Sequence, residues 1–584
     1  MNETLSPANT TTDIPAERNL NELWLRVILD MIEAAGIRRA VLSPGGRSAT
    51  TVLAVRARPA FTDIFVSNDE RTGAFTALGM IKATGESAMV VTTSGSAVAN
   101  LVPALTEAHE CGLPLVLITC DRPRALRDSG FGQMIDHIGT CRAFVRASVD
   151  LPDPSDDPEA FIALREQVAS VLSQRLGPRP GPVQINIPFA GRFDSTEPCA
   201  ISPGALREAS RPAFIHPAPT RTTNDIDALI SKLNLRPGMK GIIVAGAECA
   251  VPLTALADFA AKTGFPVLAD TASGLRGTGL PNVLSGFDAL RGWRGRAAPQ
   301  AELVIRFGFA PVMPNVQDYL LAHRGPTIRV SPVPLERDYL HAEFAPLVAP
   351  SSAELDALAC ALGSGDEPWL ADWRASAESV ARVRHLVTGM LPWGELAAVR
   401  ELFDCDRFDF MHIGNSMSIR HADLFYPTRA NGQPVYSSRG VCGIDGTLGT
   451  FLGESFALNQ SGLLVLGDLA FLHDLPALAN AQRHVRPACI CLINNAGGAI
   501  FDFLPLASQP DYLAAIRNPH CFNAGAVATA FGLRHTRCES REALRAALDA
   551  SACHDGVMIV EVVVPPNSAR DGLMSLEVAL ACRH

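Results

Sequence analysis

The run Leu463-Leu464-Val465-Leu466-Gly467-Asp468 is matched downstream by Ala488-Cys489-Ile490-Cys491-Leu492-Ile493-Asn494-Asn495, and this pair decides the fold. Each half is a short apolar run closed by an oxygen-bearing side chain. The chain between Asp468 and Asn495 has room for one crossover helix. The two runs therefore read as parallel strands that bring both oxygens to one sheet edge. A carboxylate and an amide carbonyl are hard ligands suited to Mg²⁺ (or Mn²⁺), an ion that keeps room in its shell for phosphate oxygens. An Asp at a strand end and an Asn pair in a turn are also common in α/β proteins, so the reading needs a second site elsewhere in the chain.

Composition narrows the class. A chain of 584 residues predicts about three or four domains. With 47% hydrophobic and 19% charged residues, it reads as a globular protein with large cores. The net charge of −10 is spread out and no basic tract occurs, which argues against nucleic acid as a partner. No apolar run approaches the ~18 residues that span a bilayer, so no membrane partner is expected. Residues 1–18 are polar, carry no signal-peptide core and read as a mobile tail. The 14 cysteines are scattered without a C-x-x-C pair, which predicts a reduced, cytoplasmic protein. Cys489 and Cys491 read as small apolar core residues rather than metal ligands.

Three α/β blocks follow from the alternation of strand-like and helix-like segments. The first, 19–193, has strand candidates at Ala40-Val41-Leu42, Ile64-Phe65-Val66, Ala88-Met89-Val90-Val91, Leu115-Val116-Leu117-Ile118 and Val183-Gln184-Ile185-Asn186. A Pro- and Ser-rich stretch, 194–223, reads as a linker. The second block, 224–349, contains Gly241-Ile242-Ile243-Val244, Pro266-Val267-Leu268-Ala269, Leu303-Val304-Ile305-Arg306 and Thr327-Ile328-Arg329-Val330. Its first turn, Ala245-Gly246-Ala247-Glu248, lacks the glycine pattern of a dinucleotide site, so no NAD or FAD is expected there. Residues 350–393 form a linker with a connecting helix near Trp369 to Leu391, and the third block is 394–584. The fold class is thus α/β, with three doubly wound parallel-sheet domains.

The second site lies in the first block. Ile64 to Ser67 predicts a strand, then Asn68-Asp69-Glu70, then a helix over Arg71 to Lys82. That places Glu70 at the C-terminal edge of a sheet, where α/β sites form. Alone, Glu70 is equally a helix N-terminal acid facing the dipole. It belongs, however, to an ordered series: Ser43-Pro44-Gly45-Gly46-Arg47-Ser48, Asp69-Glu70-Arg71, Thr93-Ser94-Gly95-Ser96-Ala97-Val98-Ala99-Asn100 and Asp121-Arg122-Pro123. The third block continues it with Gly414-Asn415-Ser416-Met417, Ser438-Arg439-Gly440, Gly443-Ile444-Asp445-Gly446, Gly467-Asp468-Leu469 and Asn494-Asn495-Ala496-Gly497-Gly498-Ala499-Ile500-Phe501.

This series closely resembles the 2-succinyl-5-enolpyruvyl-6-hydroxy-3-cyclohexene-1-carboxylate synthase family of menaquinone biosynthesis, strongly in the first and third blocks and weakly in the middle one. The resemblance implies pyrimidine-binding, central and diphosphate-binding domains of the thiamine diphosphate (ThDP) decarboxylase type. It implies a carboligase that decarboxylates 2-oxoglutarate and adds the succinyl unit to the enoate of isochorismate. By that likeness Glu70 is the acid that activates the cofactor, which calls for a carboxyl in an apolar pocket with a raised pKa. Asp468 and Asn495 bind Mg²⁺ by side chains and Gly497 by its carbonyl, while Ile444 buttresses the cofactor. Arg47, Arg122, Gln133, Ser416, Arg420 and Arg439 line the substrate pocket, with Ile500, Phe501 and Leu504 as its apolar wall. Arg47, Gln133 and Arg420 are the pocket residues placed nearest the chemistry. The resemblance also implies an obligate homo-oligomer, dimer or tetramer, with the two ends of each cofactor held by different subunits.

The physical logic agrees. Both substrates are dianions, and arginine forks hold carboxylates in fixed geometry. The sequence departs from the family on the acceptor side. Gly46 stands where Ser is usual, and Gly132 where Asn precedes the pocket glutamine. Pro311-Val312-Met313-Pro314-Asn315-Val316 carries no cation where one or two basic residues are expected. Arg291, Arg294 or Arg296 is the candidate replacement. A diverged carboligase with another acceptor, or a catalytically silent scaffold, are the alternative readings. Retention of Glu70, Asp468 and Asn495 together argues against the scaffold.

Overall fold

A computed structural model describes residues 19–189, 198–218, 224–293, 297–334, 337–340, 343–482 and 484–582. The segment 1–18, read as a tail, lies outside them, as do parts of the 194–223 linker. Among the described residues the strands form three six-stranded, wholly parallel sheets. In the first, β1 (Arg39–Leu42), β2 (Asp63–Val66), β3 (Ala88–Thr92), β4 (Leu115–Asp121), β5 (Ala147–Asp150) and β6 (Val183–Pro188) stand in the order 2-1-3-4-6-5. The second holds β7 (Gly241–Ala245), β8 (Val267–Ala269), β9 (Val283–Ser285), β10 (Leu303–Phe307), β11 (Thr327–Ser331) and β12 (Ala345–Val348), ordered 12-11-10-7-8-9. The third holds β13 (Phe410–Ile413), β14 (Val435–Tyr436), β15 (Gly462–Gly467), β16 (Ala488–Asn494), β17 (Arg534–Cys538) and β18 (Val557–Val563), ordered 14-13-15-16-18-17.

Central strands such as β3 and β4 are buried along their whole length. Helices cover both faces, so the strands read as continuous apolar runs. The pleat sends alternate residues to opposite cores. Leu464, Leu466, Ile490 and Leu492 face one side of the third sheet. Leu463, Val465, Cys489 and Cys491 face the other, in a core that continues into the second sheet through Trp369 and Trp373. Both cysteines are fully buried, in keeping with their reading as core residues. The strands that sequence patterning overlooked include the edge strands β5, β14 and β17, which are short or polar and are not buried along their length. The connecting helix runs Glu367–Met390, and a second helix, Ser352–Leu362, precedes it with a reciprocal Ser351–Glu354 capping box. The stretch read as a linker contains a short helix, Pro203–Ala209. Ser202 caps it and Arg165 ties it to the first layer through the Ala209 carbonyl.

Two helices set the distance between the first and third sheets. Helix Glu70–Thr84 starts at Asp69, whose side chain accepts from the Thr72 amide at 2.7 Å, and stops at Gly85 in the left-handed region, φ +71°. It lies against helix Thr447–Leu458. A Cβ on Gly79 would fall 2.0 Å from the Thr450 carbonyl oxygen, and one on Gly453 2.0 Å from that of Thr76. Neither neighbour is a movable side chain, so only glycine permits this approach. Gly453→Ala gains about 1 kcal/mol of helix propensity but forces the helices apart. We expect a net loss of about 1–2 kcal/mol, read as a lower urea midpoint. An unchanged midpoint would contradict this account of the packing.

Candidate active site

Each predicted site residue follows the C-terminal end of a parallel strand. In the first sheet, adjacent strands deliver the loop 43–48 (after β1), Glu70 (after β2), the loop 93–96 (after β3) and Arg122 (after β4). The Gly45 loop lies against Thr93: a Cβ on Gly45 would meet the Thr93 side chain at 2.6 Å, and the Arg47 amide donates to Thr93 Oγ1 at 3.2 Å. Arg47 is buried, with Nη1 3.5 Å from the Phe189 carbonyl. Arg122 donates to Ser94 Oγ at 2.6 Å and through Nη2 to Gln133 Oε1 at 3.1 Å. Gln133 holds a left-handed backbone, φ +58°, the kind of conformation that clusters at functional sites. Arg47, Arg122 and Gln133 thus converge on the loop 93–96. Glu70 is half-buried, and its carboxylate faces the Asn100 amide at a long 3.5 Å.

The third sheet presents two groups on the adjacent strands β13, β15 and β16. After β13, Ser416 (φ +65°, ψ −125°) opens helix Met417–Phe425. Arg420 donates to the Ser416 carbonyl at 2.6 Å, and Arg439 to Asn415 Oδ1 at 2.6 Å. Neither guanidinium has a carboxylate ion-pair partner within the described residues. Burial first, and then the Arg439 charge, pull the Arg420 pKa below its ordinary value. Two like charges held together without a counterion make an anion site. The Asn415 amide also donates to the carbonyls of Ser438 and Gly443 at 2.7 and 2.6 Å, shaping the loop that carries Ile444. Ile444 packs, partly buried, against the apolar core behind β15 and β16.

The second group is the Asp468 and Asn495 pair. Asp468 begins a short helix directly after β15 and is buried. Its Oδ2 accepts from the Gly497 amide at 2.9 Å and lies 2.9 Å from His520 Nε2. Asn495 is buried too. Its Nδ2 donates to Glu395 Oε2 at 2.9 Å, while its Oδ1 is buried without a partner. An unpaired amide oxygen in the interior is costly, and a cation would satisfy it. Gly497 has φ +138°, and a Cβ there would meet the Arg517 carbonyl at 2.6 Å. Its own carbonyl accepts from the Ala499 amide at 2.9 Å, with a second lone pair left over. Among the described residues no cluster of three or more His, Cys, Asp or Glu side chains is poised for a metal. A cation here depends on one carboxylate plus amide and backbone oxygens, a donor set that suits Mg²⁺.

Beyond the loop, Ile500 and Phe501 are half-buried in the turn Ala499–Phe503, and Leu504 is exposed. Sequence reasoning missed Glu395, the first residue of helix Glu395–Phe403, which fixes the orientation of the Asn495 amide. Burial pushes its carboxyl up to about 7. The Asn495 hydrogen bond opposes that rise and the Asp468 charge adds to it. Nothing in the local pattern around Gly394-Glu395 signals this, because Glu395 and Asn495 meet only in the fold. Asn100, by contrast, was already within the quoted series.

On the acceptor side, Pro314 opens helix Pro314–Ala322, and Asn315 donates to the Phe287 carbonyl at 3.3 Å. Arg291 forms an exposed ion pair with Glu577, so the structure gives no support to it as the replacement cation. Arg294 and Arg296 lie outside the described residues. A Cβ at Gly46 or Gly132 would meet nothing within 4 Å, so the backbone requires glycine at neither.

Comparison with known proteins places this geometry. Residues 25–140 match the thiamine pyrophosphate enzyme N-terminal TPP binding domain, and 418–562 the C-terminal TPP binding domain. A 2-succinyl-5-enolpyruvyl-6-hydroxy-3-cyclohexene-1-carboxylate synthase from Roseiflexus castenholzii is 32% identical over 564 residues, covering 93% of this chain and 96% of the relative. Proteins of the same name from Halorubrum lacusprofundi and Chloroflexus aurantiacus are each 34% identical. They cover 90% and 92% of this chain, and 90% and 93% of their own length. The chain belongs to this synthase family. The family match spans all three sheets, including the middle one where the motif series was weakest. The family's three-sheet ThDP-enzyme architecture is the one described above.

If Glu395 holds the Asn495 amide, Glu395→Ala should weaken Mg²⁺ binding about 10–100-fold in titration calorimetry with the diphosphate cofactor present. Glu395→Gln keeps an acceptor for the amide and should lie closer to wild type. Wild-type Mg²⁺ affinity in Glu395→Ala would exclude this role.

Proposed function

We propose that this chain is a ThDP- and Mg²⁺-dependent carboligase that decarboxylates 2-oxoglutarate and adds the resulting succinyl unit to the enoate of isochorismate. The observation that carries the reading is the buried, partnerless Asn495 Oδ1 beside Asp468. Asp468, Asn495 and the Gly497 carbonyl would hold Mg²⁺, and through it the diphosphate. Bound ThDP supplies the electron sink that decarboxylation needs.

The chain's own residues do the rest. Glu70, half-buried at the C-terminal edge of the first sheet, would be the carboxyl that meets the aminopyrimidine. Ile444, packed against the core behind β15 and β16, would buttress the cofactor. Arg420 and Arg439 bind the distal carboxylate of 2-oxoglutarate, with Ser416 beside it. Their mutual repulsion, relieved by a dianion, favours that donor over a monoacid. Arg47, Arg122 and Gln133 face the reacting end and the acceptor. Ile500, Phe501 and Leu504 exclude water, which favours loss of CO₂ by removing solvent from the carboxylate.

The family resemblance supports a homo-oligomer, dimer or tetramer, in which the Glu70 edge of one subunit faces the Asp468 edge of another. The fourteen cysteines are all unpaired, which supports a reducing cytoplasmic setting. Among the described residues no helix is long and apolar enough to cross a membrane.

A second reading keeps the donor and changes the acceptor. It rests on the missing cation at Pro314-Asn315, on the ion pair that occupies Arg291, and on the open space at Gly46 and Gly132. Mass spectrometry of the products from 2-oxoglutarate with isochorismate, and with a panel of other enoates, decides between the two. The isochorismate adduct supports the first reading. An adduct formed only with another enoate supports the second.

Glu70→Gln should keep cofactor affinity and lose most turnover, because an amide cannot share the proton. Asp468→Ala should instead lose Mg²⁺ and ThDP binding. Equilibrium binding and turnover measured on both variants separate the roles, and a shared binding defect would refute them. A charge-assisted bond contributes about 1.5–3 kcal/mol, so Arg420→Ala should raise the 2-oxoglutarate KM about tenfold or more. Pyruvate, which lacks the distal carboxylate, should be a poor donor for the wild type. Equal turnover of pyruvate and 2-oxoglutarate would rule out the donor assignment.

A further inference from the structure

The loop that carries Arg439 is held from the other side of the molecule. Glu107 lies in helix Val102–Cys111 of the first domain and is 1% exposed. Its Oε1 accepts from the Gly440 amide at 3.0 Å and its Oε2 from the Val441 amide at 2.8 Å. The Cys111 thiol donates to Oε1 at 3.3 Å, and Lys82 Nζ stands 3.9 Å away. Lys82 in turn pairs at 2.5 Å with Glu248, on the turn after β7 of the second sheet. The fit is tight: a Cβ on Gly440 would meet Cys111 Sγ and Glu107 Oε2, each at 2.9 Å. One buried carboxylate therefore joins the first domain to two successive amides beside Arg439, and Lys82 extends the link to the second.

We propose that Glu107 is a positioning residue for donor recognition. By pinning Gly440 and Val441 it fixes the height of Arg439, and so the position at which the distal carboxylate of the 2-oxo acid is bound. The inference rests on the donor reading above. Its physical basis is that two charge-assisted bonds to adjacent amides leave the loop one register, whereas the Arg439 guanidinium is held, among the described residues, by Asn415 Oδ1.

Two variants reach the contact from opposite sides. Glu107→Gln turns an NH₂ toward one of the amides, so that N–H loses its acceptor. Gly440→Ala pushes the carboxylate away. In each, amide hydrogen exchange at Gly440 and Val441 should quicken about tenfold or more, and the 2-oxoglutarate KM should rise by a similar factor. The ThDP dissociation constant and the slow turnover of pyruvate should stay within about twofold of wild type. A merely structural role would lower the thermal midpoint and cofactor affinity together and leave the preference for 2-oxoglutarate over pyruvate unmoved. Unchanged exchange at the two amides, or faster exchange with an unchanged 2-oxoglutarate KM, would overturn the proposal. If the donor reading itself is wrong, the wild type will not consume 2-oxoglutarate. A failure of positioning shows only in the variants, against an active wild type.

Discussion

Helices Glu70–Thr84 and Thr447–Leu458 meet backbone to backbone, with only the hydrogens of Gly79 and Gly453 between each helix and a carbonyl of the other. The rest of the arrangement depends on that closeness. It locks the first sheet to the third, so the C-terminal edges of both are set by two rigid rods rather than by loops. Glu70 is the first residue of one rod, and Gly446, just ahead of the other, packs on Phe75. A methyl group at this crossing would shift an entire sheet edge, whereas one at Gly46 or Gly132 would touch nothing. Glycine thus has two unrelated meanings in this chain, which the sequence writes with the same letter.

The site residues divide by sheet edge. One edge gathers Arg47, Glu70, Arg122 and Gln133, and the other gathers Ser416, Arg420, Arg439, Asp468 and Asn495. Arg420 and Arg439 have no carboxylate partner among the described residues where an anion is expected, and Asp468, 2.9 Å from His520, stands where a metal is expected. The second edge carries two unmet electrostatic demands: the Arg420–Arg439 repulsion at one strand end and the orphan Asn495 oxygen two strands away. Supporting groups stand behind both. Glu395 orients the amide, and Asn415 shapes the Arg439 loop. Preorganisation of this kind holds polar groups where ligands will satisfy them, at some expense of stability in their absence.

Much of this was legible in the sequence. The apolar runs of β3, β4, β15 and β16 announce buried parallel strands because both faces of such strands are covered. The loops after them carry Glu70, Arg122, Asp468 and Asn495 because parallel topology sends strand C-termini to one edge. Sequence alone therefore determined the fold class and the strands β15 and β16 that end at Asp468 and Asn495. It missed strands such as β5, β14 and β17, since edge strands need not be apolar on either face.

Tertiary structure alone decided the contacts between residues distant in sequence. Glu395 with Asn495, Glu107 with Gly440 and Val441, and Arg165 with the Ala209 carbonyl each join segments whose own patterns say nothing of the partner. Only the structure shows Arg291 in a surface ion pair with Glu577 rather than in reserve for an acceptor. The reason is physical. Hydrophobic period is a local signal that repeats every two or three to four residues, so a short window contains it. A buried hydrogen bond between domains depends on where whole sheets come to rest, and that is set here by the glycine contacts of a single helix crossing.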